Sequence, residues 1–252
     1  MNEMRAITPT EQKMLRRAVV ESNAMFRRVE AMVLDTEAER YSEWKLDVPE
    51  YDDDNGLVIE RFDISEQEAY IDKLRAAANP QRGDRSIEPG TYTRLKVDGE
   101  VWMTDTPAEI RDHAFADEAM ALYPEGSALI VGLGLGMVLN RAIRFHHMSH
   151  IDVVEWDQRV LDAVGDHYAA LAKENYVDLR FHEADIHAWR PPRGCQWDVG
   201  WFDIWATIND DDMEEVTRLR KRFNSRLQWF GAWAQNERIA MKRRINSGKW
   251  AY

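Results

Sequence analysis

The sequence predicts an α/β protein built on a mostly parallel sheet with helices on both faces. Three observations carry this. From Ser127 onward, short apolar strands alternate with helical segments. The first strand, Ala128 to Val131, is apolar without a break, as expected when both faces of a sheet are covered. A run of alternating glycines, Gly132, Gly134 and Gly136, then joins that strand to the next helix.

Composition bounds the class. The 252 residues suffice for one full α/β domain with additions at its ends. Hydrophobic residues at 44% and charged residues at 31% suit a globular chain rather than a disordered one. No apolar run approaches the roughly 20 residues of a membrane helix. Met1 to Thr10 has no apolar signal core, so a membrane or secretory destination is not expected. Cys195 is the single cysteine, so no internal disulfide can form, and a reducing cytoplasm is the expected setting. The net charge of −12 opposes steering toward phosphates, so nucleic acid is not an expected partner. Lys242, Arg243, Arg244 and Lys249 read as a solvated helix face and tail.

Thr8, Pro9 and Glu11 form a capping-box start with proline at the first helical position. Leu15, Val19, Met25, Phe26, Val29, Met32 and Val33 follow at helical spacing. Such a stripe needs a partner surface. Met14 to Leu34 is therefore expected to join copies into a homodimer or larger assembly, the alternative being a helix folded back on its own domain. Tyr51 to Asn55 reads as a linker and Leu57 to Ile64 as a strand. Ser65 and Glu68 open a helix through about Ala78, and Asn79 to Gly90 reads as a loop. Thr91 to Val97 and Glu100 to Thr104 flank Asp98-Gly99, a two-residue hairpin signal. Thr106, Pro107 and Glu109 start another capped helix. Beyond the glycines come a helix from Met137 to Phe145, a strand from Ile151 to Val154 and a helix over Val160 to Leu171. Strands at Val177 to Phe181, Trp197 to Phe202 and Leu227 to Trp233 complete the sheet.

The glycines permit a tight turn and close ligand approach, and the helix that follows adds amide donors. The alternative is close packing of the turn without a ligand. Glu155 ends the next strand, where an acid can accept both hydroxyls of an adenosine ribose. Asp157 fits a helix cap better. Asp185, past the third strand, can accept from an adenine amino group while Ile186 or Trp156 covers the ring; a capping role accounts for it equally well. Asp203 ends the fourth strand, beside the cleft where open α/β sheets bind ligands. Trp201 and Trp205 read as core or cleft wall. His146, His147 and His150 read as a solvated helix end, and no metal is expected. Asp210, Asp211 and Asp212 complement a helix dipole.

Together these residues resemble the class I S-adenosylmethionine-dependent methyltransferases over roughly Gly126 to Trp233. The glycine spacing is their G-x-G-x-G rather than the G-x-G-x-x-G of dinucleotide enzymes. The resemblance implies a Rossmann-like fold with a seven-stranded-type sheet, here behind an N-terminal helical and hairpin extension. It divides the chain into a helical extension over 1–50, a small α+β hairpin region over 51–105 and a cofactor-binding domain over 106–252. It places Gly132, Gly134 and Gly136 along the methionine and ribose, Glu155 on the ribose, Asp185 on the adenine and Asp203 toward the substrate. Asp203 is expected to orient an acceptor or take its proton, helped by Asp105 or Glu109.

A narrower resemblance is to spermidine synthases and guanidinoacetate-type methyltransferases. It rests on Gly90 to Met120, with Met103 to Glu109 like their substrate-side segment. The chain also resembles methyltransferase-like proteins of bacteriophages. It departs from spermidine synthases after Asp203, where Ile204 to Asn209 intervene before Asp210. The expected function is methyl transfer from S-adenosylmethionine to a small or exposed polar acceptor, with S-adenosylhomocysteine as product. One rival is aminopropyl transfer from decarboxylated S-adenosylmethionine to a cationic amine held by Asp105, Glu109, Asp203 and Asp210. The other is a protein that binds the cofactor without turnover.

Overall fold

The structure, a computed structural model, describes residues 43–78, 87–205 and 212–234. The chain divides into two compact units, Met1–Glu43 and Trp44–Tyr252, and every described residue but Glu43 lies in the second. The expected assembly helix, Met14 to Leu34, and the basic tail from Lys242 lie outside the described residues.

Four strands form an antiparallel sheet in chain order: β1 (Tyr51–Asp52), β2 (Leu57–Ile64), β3 (Gly90–Val97) and β4 (Glu100–Thr104). Helix α1 (Glu66–Ala78) leaves from β2 through the predicted capping box. Glu68 N donates to Ser65 Oγ at 3.3 Å, and Ser65 N donates to Glu68 Oε2 at 2.8 Å. Asp98 and Gly99 turn the β3–β4 hairpin at φ of 52° and 85°, the left-handed pair that matches strand twist. β1 falls inside the expected linker. It is two residues long and acidic, too short for any periodicity, yet Tyr51 pairs with Ile59 and Asp52 with Val58. Just before it, Trp44, Leu46 and Val48 alternate into the core, and Arg61 donates to the carbonyls of Leu46 and Val48.

The second sheet has five strands: β5 (Ser127–Val131), β6 (His150–Glu155), β7 (Asp178–Glu183), β8 (Trp197–Phe202) and β9 (Leu227–Ala232). Their spatial order is β7-β6-β5-β8-β9, and every pairing is parallel. This is the doubly wound Rossmann-type order, with helices as crossovers. Among the described residues this sheet has five strands, where a seven-stranded type was expected. The apolar strands explain themselves. Leu129 and Val131 of β5 face a core with Phe202, Phe230 and α5 (Asp212–Phe223), which contributes Val216, Leu219 and Phe223. Ala128 and Ile130 alternate to the opposite face and are equally buried. On the other side of the sheet run α2 (Pro107–Met120), α3 (Met137–Arg144) and α4 (Gln158–Glu174). Arg141 of α3 ties to Asp117 of α2 at 2.8 Å, and its guanidinium lies over the Trp44 and Phe145 rings. His146 also reaches Asp117, at 2.6 Å, so it is paired and not the solvated helix end expected.

Two further details differ from expectation. Proline does open α2, but Thr106 makes no side-chain cap; its hydroxyl pairs with that of Thr104 at 2.9 Å, a nearer partner. Gly136, the last glycine of the turn, faces protein. It caps α3 at φ 76°, and a Cβ there would lie 2.1 Å from the Tyr168 ring. The Tyr168 hydroxyl donates to Leu135 O at 2.7 Å, and α4 thereby props the turn from below.

Gly136→Ala should therefore lower stability by about 2 kcal/mol or more, combining a strained φ with overpacking. Thermal unfolding checks this, with a fall in Tm of roughly 4–8 °C expected for a domain of this size.

Candidate active site

The chain runs outward from β5 to β7, then returns to β8 and β9 on the other side. That reversal leaves a crevice at the carboxyl ends of β5, β6 and β8, where open α/β sheets take ligands. The glycine turn sits at its centre. Gly132 N donates to Val154 O at 2.9 Å, and Asp203 N donates to Val131 O at 2.8 Å. These bonds draw three strand ends together. At Gly132 the approach is so close that a Cβ would lie 1.9 Å from Asp203 O, and its φ of 86° also favours glycine.

Glu155 closes the turn from β6. It is 5% exposed, accepting from Leu133 N at 2.7 Å and Asp157 N at 2.9 Å. Burial raises its pKa; the backbone donors partly offset this. Asp157 caps α4 as expected, accepting from Arg159 N at 3.0 Å. From the antiparallel sheet, Met103 Sδ accepts from Leu135 N at 3.2 Å and lies against Gly134.

Two cavities flank the turn. One, of about 310 Å³, is lined by Gly132, Leu133, Gly134, Glu155, Asp203 and Glu109, with Trp102, Met103, Trp205 and Trp233 among its walls. The other, of about 330 Å³, is lined by Asp185, Ile186, His187 and Glu215. Gly132, Trp156 and Ile204 belong to both. Trp156 is 61% exposed although it is a large aromatic. Asp185 uses one oxygen to accept from His187 N at 2.8 Å.

The expected site residues thus separate. Gly132, Gly134, Glu155, Trp156, Glu109 and Asp203 meet at the first cavity, Asp185 and Ile186 at the second. Gly136 packs on Tyr168 instead of lining either cavity. Asp105 requires correction as a cleft residue. It is 2% exposed and accepts from Thr93 N at 2.6 Å and Leu46 N at 3.4 Å. It holds the antiparallel sheet to the chain before β1. Asp210 lies outside the described residues.

His113 was not foreseen. It sits fully buried on α2, with Nε2 2.7 Å from Asp203 Oδ2 and Nδ1 2.7 Å from Glu109 O. Its ring lies 5.8 Å from that of Trp201. Burial alone would lower its pKa. The hydrogen bond and charge of Asp203, with a smaller contribution from Glu109, outweigh that and leave it pushed up to about 9. The only hint in the sequence is a histidine one helical turn after Glu109, and the partner is 90 residues away.

No family model matches the chain. It is 37% identical over 79 residues to a polyamine aminopropyltransferase of Agathobacter rectalis, a match spanning 31% of this chain and 27% of that relative's length. Among solved structures, the plantazolicin methyltransferase BpumL in complex with SAH is similar at 12% identity and TM-score 0.30, covering 48% of this chain and 49% of that one. A dimethyladenosine transferase from Plasmodium falciparum is similar at 17% identity and TM-score 0.29, covering 42% of this chain and 36% of that one. The strand order, rather than these partial superpositions, defines the fold.

The raised pKa of His113 has a stability consequence. Its folded value of about 9 exceeds the ordinary 6.5, so the stabilisation is complete below pH about 6.5 and is lost as pH rises through about 9. Urea unfolding at a series of pH values should show wild type losing on the order of 3 kcal/mol more than His113→Gln across that window.

Proposed function

We propose that the chain is a transferase that binds S-adenosylmethionine at the glycine turn and passes its methyl group to a small cationic or polar acceptor. The observation that carries this reading is a single crevice in which the glycine turn, Glu155 and Asp203 meet. The donor set fits such a cofactor. Among the described residues neither cavity is lined by a lysine or arginine, while Glu109, Glu155 and Asp203 supply carboxylates and four tryptophans supply π faces. That lining suits a sulfonium cation and places carboxylates where a pyrophosphate would be repelled.

Glu155 receives the ribose hydroxyls with the lone pairs its two backbone bonds leave over, since a carboxylate has about four acceptor sites. Trp156 and Ile186 cover the adenine, and the free Asp185 oxygen accepts from its amino group. The cofactor supplies an electrophilic methyl group. Asp203 orients the acceptor, and Trp102, Trp205 and Trp233 wall it from water, so that alignment carries much of the rate.

The partial likeness to a polyamine aminopropyltransferase favours a second reading, transfer of an aminopropyl group from decarboxylated S-adenosylmethionine to an amine. The carboxylates of the cleft suit that acceptor too. Of the four acids expected to hold it, Asp105 is committed to backbone amides. Mass spectrometry of products formed from each cofactor in cell extract separates the readings by the mass added to the acceptor.

Calorimetry should show micromolar binding of S-adenosylmethionine or S-adenosylhomocysteine and none of NAD or NADP. No heat with either thioether or sulfonium ligand would sink the reading. Glu155→Ala should remain folded and bind about tenfold more weakly or worse, from the loss of charge-assisted hydrogen bonds of about 1.5–3 kcal/mol each. An unchanged dissociation constant would make Glu155 a brace of the turn alone.

A further inference from the structure

His113 and Asp203 raise a question of proton count that the geometry answers. Nδ1 of His113 faces Glu109 O, a carbonyl that only accepts, so Nδ1 carries hydrogen. Nε2 faces a carboxylate oxygen at 2.7 Å, so one more hydrogen lies between them. The ring is 0% exposed, and no water reaches it to substitute for either bond. Asp203, by contrast, is partly exposed and lines the crevice. The arrangement is a buried histidine behind a carboxylate that faces the ligand space.

We infer that Asp203 and His113 form a proton-holding dyad, in which Asp203 takes the acceptor's proton and His113 positions Asp203 and stores that proton at Nε2. The inference rests on the transferase reading above. The dyad rests loaded near neutral pH, so an acceptor ammonium that binds beside Asp203 first expels that resting proton to solvent; an N–H bond of the ammonium then breaks and its electron pair stays on nitrogen. The proton passes to Asp203 and settles on Nε2, giving imidazolium and carboxylate. The freed amine then attacks the methyl group. Asp203 is the group that touches the acceptor; His113 is a positioning residue acting through it.

The charged groups facing His113 among the described residues are Asp203 at the end of β8 and Glu109 on its own helix; Trp201 of β8 lies tilted beside it and is neutral. Both carboxylates favour the loaded form, which is why it persists to about pH 9. An acceptor matched to such a base is an aliphatic amine, because proton transfer is efficient when the two affinities are close.

Nitrogen-detected NMR of the full chain near neutral pH tests the proton count directly. His113 should carry hydrogen on both ring nitrogens in wild type and on one in Asp203→Asn. A neutral His113 in wild type overturns the inference. Calorimetry with sinefungin, which bears an amine where the cofactor carries its methyl sulfonium, tests the link to the ligand. Repeated in buffers of different ionisation enthalpy, sinefungin should release up to one proton from wild type on binding, while S-adenosylhomocysteine releases none. His113→Gln, which keeps a donor to Asp203 but cannot titrate, should bind sinefungin without that release. Equal proton release in wild type and His113→Gln overturns the inference. Failure of both ligands to bind wild type overturns the transferase reading and with it the dyad's role toward an acceptor. Binding of both with a neutral His113 overturns the dyad alone.

Discussion

The turn from Val131 to Met137 is held from four directions, and the crevice exists because of it. Glu155 takes Leu133 N from one neighbouring strand, and the Asp203 backbone presses on Gly132 from the other. Tyr168 supports Gly136 from α4, and Met103 covers Leu135 N from the antiparallel sheet. Three of these approaches leave no room for a Cβ: Asp203 at Gly132, Met103 at Gly134 and Tyr168 at Gly136. The glycines thus serve packing and access together: Gly136 belongs to packing, while Gly132 and Gly134 also line the ligand space. A buried carboxylate is stable only while its amide bonds are made, so Glu155 keeps its place on the turn and has only its remaining lone pairs to offer.

The antiparallel sheet is more than an appendage to this arrangement. Its β4 delivers Met103 and Trp102 to the crevice, and Asp105, immediately after, is anchored by Thr93 N and Leu46 N. Residues that read as a helical extension, Trp44 to Val48, supply part of that anchor. One wall of the crevice is therefore built by chain segments outside the doubly wound sheet, the kind of segment that is free to vary while the sheet is kept.

Much of this was legible in sequence because it rests on local signals. The strands β2, β3, β4 and β8 and the Asp98-Gly99 turn follow from alternation, apolar runs and turn chemistry over a few residues. Glu155 was legible because its position relative to a glycine turn is fixed by one crossover. What escaped depends on contacts between distant segments. β1 is too short to show a period. Asp105 was read as a cleft acid because Met103 to Glu109 resembles the substrate-side segment of spermidine synthases, and only the fold reveals that two backbone amides consume it. His113 carries no motif; its meaning comes from Asp203, which α2 meets only when packed on β8.

On the proposed reading, the two cavities on either side of Trp156 form one binding site for an adenosine-bearing cofactor. A crystal structure of the full chain with S-adenosylhomocysteine tests this most directly. The expected complex has the ribose hydroxyls on Glu155, the adenine between Trp156 and Ile186, and the thioether sulfur facing Asp203. A ligand bound elsewhere, or a Glu155 still engaged with Leu133 and Asp157 alone, would contradict it.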